Sequence, residues 1–297
     1  MASNEQTEKQ PADLSEADSG AVVCQQKITL TGPWSFIDQV ADACDLTAAQ
    51  ISEATEKGAV WWQKQDTKKQ LRNPVRLGSF ENTVKAGDVV LVNYNSAILA
   101  ANIAPPVLVS DQVNYSIWDK PRGMLSQGTK WSNHCSITYC VEKIHNKRAF
   151  LVHRLDRAAG GLIVIAHTRN ALTRLAEMFA KRQIEKTYQA TVSGKYDGKI
   201  PLVIETPVDG KSAHTELIDA VAKDGNASPQ TRLTVKIKTG RKHQIRSHLA
   251  GIGHPVVGDR LFDKNTEHQH DLQLDAVGLK FTCPFADRAI NVVLPHV

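Results

Sequence analysis

A chain of 297 residues, 41% hydrophobic and 23% charged, has room for two domains, since a domain commonly takes roughly 100–200 residues. It shows no N-terminal apolar leader and no apolar run near the roughly 18 residues of a membrane span, so a soluble, cytoplasmic protein without a membrane partner is expected. The net charge of +5 is unevenly placed: residues 1–26 hold five acids and one base, a net of −4, which leaves +9 to the remainder. A basic body favours a polyanionic partner, nucleic acid first, and the plainer alternative is a charged surface that serves solubility.

The five cysteines, Cys24, Cys44, Cys135, Cys140 and Cys283, are odd in number and form no CxxC pair. That argues against a structural zinc site and for reduced thiols. His134-Cys135 with Cys140 is the nearest approach to a ligand cluster, but it lacks a second half at ligand spacing. No metal site is expected, and no protein partner can be inferred.

Residues 1–26 are polar, acidic and free of aromatics, and so predict a disordered tail. A small domain is expected over 27–104. Ile28 and Leu30 alternate with polar residues as in a strand. Phe36, Ile37, Val40, Ala41 and Cys44 recur at helical spacing. Thr47 can cap a second helix over 48–57, which Gly58 closes. Val60-Trp61-Trp62 and Val89–Val92 read as strands, the latter entered through the Gly87-Asp88 turn. Lys57, Lys64, Lys68, Lys69, Arg72 and Arg76 fall within this stretch, where they could meet phosphates. Residues 93–106 read as a linker ending in Pro105-Pro106.

The second domain, 107–297, opens with a strand over Asn114–Trp118, the Asp119-Lys120-Pro121-Arg122-Gly123 turn, a helix over 133–144 and a strand over 148–152. Leu151 to Ala166 then reads as strand, tight loop and buried strand. Asp156 sits in that loop between Arg154 and Arg157. Cationic neighbours keep a carboxylate ionised, which suits a nucleophile or general base; an Asp that merely closes the loop by ion pairing explains the same residues. Thr168 can cap a helix to about Arg182 with an apolar stripe of Leu172, Leu175, Ala176 and Phe179. A strand over 184–192 carries Tyr188, for which a core role is the plain reading. Short strands and loops follow, with a turn at Asp224-Gly225-Asn226. A half-exposed strand at 233–238 leads through Thr239-Gly240-Arg241 into a short helix from Lys242 to Ala250, and five Lys/Arg but no acids lie between Lys236 and Arg246. His243 and His248 are five apart, off the i, i+4 spacing of helical zinc ligands, so hydrogen bonding is expected of them. Final strands fall at 278–281 and 292–294.

Four stretches in this order resemble the RluA-type family of RNA pseudouridine synthases: Asp119–Gly123, His153-Arg154-Leu155-Asp156, Lys186-Thr187-Tyr188-Gln189-Ala190, and Thr239–Arg246 continuing to Gly253–Asp259. The resemblance implies an α+β catalytic domain with a mixed, mainly antiparallel sheet and flanking helices. Ahead of it, residues 27–104 resemble a small α/β RNA-binding module of S4 type. One departure stands out. Where the family commonly has Thr-Ser-Gly, this chain has Ala159-Gly160-Gly161, which removes two hydroxyls next to the catalytic loop.

The implied reaction detaches uracil from ribose at N1, turns it and rejoins it through C5, with no cofactor. By the resemblance Asp156 is the catalytic carboxylate, Arg246 pairs with it, and Tyr188 stacks on the base and helps remove the C5 proton. Arg154 fills the stack vacated by a flipped nucleotide. Lys120, Arg241 and Lys242 meet phosphates, and His243 joins them on the RNA side. The resemblance places large-subunit ribosomal RNA ahead of transfer RNA as substrate. A non-catalytic RNA-binding or ribosome-assembly factor on the same fold is the competing reading, favoured by Ala159-Gly160.

Overall fold

A computed structural model describes residues 20–32, 35–81, 83–223, 228–263 and 271–295. Most of the expected tail, residues 1–19, and the Asp224–Asn226 turn lie outside them. The chain divides into two compact units, one of residues 1–102 with 128–135, the other of 103–127 with 136–297.

The first unit contains β1 (Val23–Thr29), α1 (Phe36–Cys44), α2 (Ala48–Glu56), β2 (Val60–Gln63), β3 (Val75–Arg76), β4 (Val89–Asn95) and α3 (Ser96–Ala100). Its strands form an antiparallel sheet in the order β1-β4-β2-β3. Helix α2 starts at Thr47, which exchanges hydrogen bonds with Gln50 in a capping box. Val40, Ala41, Ile51 and Ala54 of the helices pack on Leu30, Val60, Val90 and Val92 of the sheet side.

Three boundaries differ from expectation. Strand β1 begins at Val23, inside the expected tail, because Val23–Gln26 pair through their backbone with Asn95–Val92; on an edge strand at the end of an acidic, polar stretch this backbone pairing leaves no sign in the sequence. The presumed 93–106 linker starts with the end of β4, and the Asn95 side chain accepts from Ile98 N–H at 3.0 Å and so starts α3. Residues 128–135, expected within the second domain, belong with the first unit. Two of the presumed phosphate ligands there are also committed elsewhere. Arg76 stacks over Trp61, 4.4 Å from the ring centre, and donates to the Gly58 and Thr129 carbonyls. Lys57 donates to Glu53 and to the Leu99 carbonyl, both at 2.6 Å. Lys64, Lys68, Lys69 and Arg72 are exposed.

The second unit contains β5 (Val107–Asp111), β6 (Tyr115–Lys120), α4 (Ile137–His145), β7 (Phe150–Leu151), β8 (Gly160–Ala166), α5 (Arg169–Ala180), β9 (Glu185–Ser193), β10 (Leu202–Ile204), β11 (Thr215–Lys223), β12 (Gln230–Ile237), α6 (Gln244–Gly251), β13 (Leu274–Thr282) and β14 (Ala289–Val293). They make one ten-stranded sheet in the order β10-β11-β12-β9-β13-β8-β6-β5, with β14 on β13 and β7 on β8. Among the described strands, only the β8–β13 pairing is parallel, so the sheet is mixed and mainly antiparallel, in an α+β fold.

Every residue of β8 is buried, because successive side chains point to opposite faces and both faces are covered. Leu162 and Val164 pack with Ala171 and Leu175 of α5. Ile163 and Ile165 pack on the other face with Val141 of α4, Leu249 of α6, Leu155 and Tyr188. This second face, which α6 also covers, carries the loop of Asp156. Helix α4 starts later than expected, at Ile137, where the Ser136 hydroxyl accepts from Tyr139 N–H.

Candidate active site

The loop between β7 and β8 carries Asp156 and is clamped from several sides. The Ser126 hydroxyl donates to the Leu155 carbonyl at 2.6 Å and accepts from Leu155 N–H at 3.0 Å. Gly123 N–H donates to the Arg157 carbonyl at 2.8 Å. The ammonium of Lys120 donates to the carbonyls of Ala159 (2.7 Å), Met124 (2.9 Å) and Pro121 (3.1 Å). Lys120 is fully buried. Burial lowers its pKa to about 8, while the charges of Asp156, Asp275 and Asp119 work to keep it protonated. The expectation that Lys120 meets phosphate is therefore corrected: its charge is spent on the backbone of the turn.

His153 is a second clamp. Its Nε2 accepts from Val164 N–H at 3.0 Å and its ring stacks on Phe179 at 4.4 Å. Burial, helped by Lys186, lowers its pKa to about 3, so the ring is neutral and able to accept.

Opposite stands α6. Gln244 Oε1 accepts from the Thr239 hydroxyl (2.7 Å) and Arg241 N–H (3.1 Å), while its Nε2 donates to the His214 carbonyl (2.9 Å) and Thr215 hydroxyl (3.0 Å). His248 Nε2 donates to the Thr206 carbonyl and Nδ1 accepts from the Thr215 hydroxyl, both at 2.8 Å. Both ring nitrogens are thus taken by hydrogen bonds. Together these bonds fix α6 against β11.

Helix α6 presents Arg246. Its Nε and Nη2 donate to the two oxygens of Asp259 at 2.7 and 2.6 Å, and Asp259 is itself fully buried and accepts from Leu261 and Phe262 N–H. A bidentate pair of this kind fixes the guanidinium plane. The remaining edge, Nη1, faces Asp156 Oδ2 at 3.6 Å. Burial opposes the charge of Arg246, but the hydrogen bonds and charge of Asp259, with Asp156 behind them, raise its pKa. His243 Nε2 lies 3.9 Å from Asp156 Oδ2. Burial, Arg246 and Lys242 lower its pKa against the pull of Asp156, so it is neutral at pH 7. Both separations exceed hydrogen-bond length, and Asp156 keeps a side-chain exposure of 25%.

Tyr188, on β9, is 8% exposed and packs in the same core as Leu155 and Ile245. Burial and then the charge of Asp156 raise its pKa, so the phenol stays neutral. Arg154 and Lys242 are exposed, as is Arg241, whose Nε donates to the Ser212 carbonyl. The three residues expected to do chemistry, Asp156, Tyr188 and Arg246, thus converge, while Lys120 lies behind the loop. Asp259 had a signal in the sequence: it is the sole acid between Lys236 and Arg260. Ser126 and Asp275 had none. Among the described residues, no group of three His, Cys, Asp or Glu is placed to hold a metal, and no helix is long and apolar enough to cross a membrane.

A match to the RNA pseudouridylate synthase family spans residues 114–251, and so takes in Asp156, Tyr188 and Arg246. A tRNA pseudouridine synthase C of Vibrio parahaemolyticus is 30% identical over 205 residues, 58% of this chain and 82% of the relative. The dual-specificity RNA pseudouridine synthase RluA of Yersinia pestis is 35% identical over 173 residues, 52% of this chain and 81% of the relative. This chain belongs to the RluA-type RNA pseudouridine synthases. It is therefore an isomerase acting on RNA. The human RNA pseudouridylate synthase domain containing 1 shares the fold, with a TM-score of 0.57 at 19% identity over 66% of this chain and 85% of the human one. Within this synthase family fold, the cation-rich stretch around α6 lies across from the carboxylate loop.

Proposed function

We propose that Asp156 is the catalytic carboxylate of this synthase and that it acts on a uridine flipped out of its RNA helix. A base stacked in a helix is out of reach of a side chain in a cleft, so extrusion must precede chemistry. Asp156 attacks the ribose or assists departure of the base as the C1′–N1 bond breaks. The C1′–C5 bond then forms, C5 loses its proton and N1 gains one, so the exchange balances without redox change. Carboxylates serve as nucleophiles in glycosyl chemistry. The observation that carries this reading is the 3.6 Å approach of Arg246, fixed from behind by Asp259, to a partly exposed carboxylate.

Tyr188, neutral and packed beside the loop, lies against the base. Its phenol does not ionise near neutral pH, so any help in removing the C5 proton comes from the neutral hydroxyl. Arg154, exposed next to Asp156, fills the vacated stack, and Arg241 and Lys242 take phosphates. His243, neutral and near Asp156, contributes a hydrogen bond on the RNA side. The first unit serves as an S4-like RNA-binding module through Lys64, Lys68, Lys69 and Arg72. Ribosomal RNA of the large subunit is the substrate by this reading, with transfer RNA the competitor.

The test uses ribosomal and transfer RNA transcribed with tritium at uridine C5. Release to water from the ribosomal fraction supports the full reading. Release from transfer RNA alone overturns the substrate assignment, and release from neither would leave an RNA-binding protein on a synthase fold.

A further inference from the structure

The Ala159-Gly160-Gly161 departure has different causes at its two glycines. Gly161 has φ +102°, and a Cβ there would run into the Ala276 backbone, so the parallel β8–β13 pairing demands glycine. Gly160 does not have a left-handed backbone, so its φ does not demand glycine. What fills the space beside it is a side chain. Asp275, its register partner on β13, places Oδ1 2.5 Å from where a Cβ on Gly160 would stand, with Arg122 Cγ 3.4 Å away.

Asp275 is held there. Arg122 Nη2 donates to its Oδ2, and the carboxylate keeps 15% exposure. Burial and the neighbouring Asp119 raise its pKa, while Arg122 and Lys120 oppose them. Lys120, which the Asp275 charge supports, is the residue that donates to the Ala159 carbonyl. The Asp119–Gly123 turn, the first residues of β8 and the start of β13 thus share one ionic brace, whose charged members are Asp119, Lys120, Arg122 and Asp275.

We propose that Asp275, anchored by Arg122, is a positioning residue that occupies the place of a side chain at position 160 and holds the 156–160 turn so that Asp156 faces Arg246. The inference rests on the proposed role of Asp156. An ordinary partly exposed ion pair would contribute little; this one is set against the backbone that carries the carboxylate, and small displacements of reacting groups are costly to rate.

The experiment compares Asp275→Ala, Asp275→Asn, Gly160→Ser and the double variant Gly160→Ser/Asp275→Ala in the full chain, by tritium release and by hydrogen exchange across residues 153–162. Asp275→Ala is expected to lower kcat by about 10-fold or more with KM changed less than about twofold, since positioning acts on the reacting geometry. Exchange across 156–160 should quicken by about 10-fold. Asp275→Asn should fall between, because it keeps the shape and loses the charge. Gly160→Ser alone should also lose activity by displacing the carboxylate. The double variant should recover to within about threefold of wild type, a non-additive result expected only for groups competing for one space. Wild-type exchange in Asp275→Ala, or losses that simply add in the double variant, would overturn the inference. Absence of tritium release from the wild type would instead refute the role of Asp156, and the exchange comparison would still decide whether Asp275 braces the turn.

Discussion

At the scale of single residues, the site depends on a charge that is aimed from behind. Arg246 spends two of its nitrogens, Nε and Nη2, on Asp259 and offers the third, Nη1, to Asp156. Replacing Asp259 with Ala leaves a buried guanidinium without its main partner, a change that typically costs about 3–5 kcal/mol. The expected outcome in chemical denaturation is a loss of that order, with kcat down by about 100-fold because the guanidinium is no longer aimed. A variant with wild-type stability and rate would show that Asp259 neither holds nor aims Arg246. Asp156, Tyr188 and Arg246, which the fold brings together, stood out in the sequence as candidates because each lies in a motif whose order along the chain is distinctive. The burial of Lys120 was not legible for a physical reason: lysines are rarely buried, and nothing in Asp119–Gly123 reports that the carbonyls of Ala159, Met124 and Pro121 close around one ammonium.

At the scale of elements, the Asp156 loop is held by side chains on other segments, so its rigidity can be tested away from the chemistry. Lys120→Met removes the donor to the Ala159, Met124 and Pro121 carbonyls. Unpaired buried polar groups cost about 1–3 kcal/mol each, and a net loss of about 2–4 kcal/mol is expected in urea melts. The pH dependence has a definite sign. The folded-state pKa is about 8, against an ordinary 10.5. Between these values the unfolded chain binds more protons, so this lysine adds stability as pH rises from about 8 to about 10.5. The Met variant should lack that rising component; an identical profile in both proteins would contradict the burial of a charged Lys120. Strand β8 and helix α5 were legible from a continuous apolar run and a capped apolar stripe. The start of strand β1 and helix α3 were not, since Val23–Gln26 fall within the acidic, polar stretch and are paired by backbone, and α3 is started by an asparagine within a stretch that ends in two prolines.

At the scale of the molecule, the basic balance outside the first 26 residues predicts RNA binding that weakens steeply with salt. Arg241→Ala and Lys242→Ala should each weaken binding to all RNAs alike and lower the slope of log K against log salt by about 1. An unchanged slope would remove these residues from the phosphate contacts. The return of residues 128–135 to the first unit and the parallel β8–β13 pairing were not legible in the sequence, because both join segments far apart in the chain. The central claim remains the role of Asp156. The measurement that tests it most directly is tritium release from C5-labelled ribosomal RNA by wild type and by Asp156→Asn, with RNA affinity measured alongside. The account predicts release by the wild type, none by the variant, and affinities within about twofold of each other, since phosphate contacts dominate binding. Release by Asp156→Asn at the wild-type rate would contradict it.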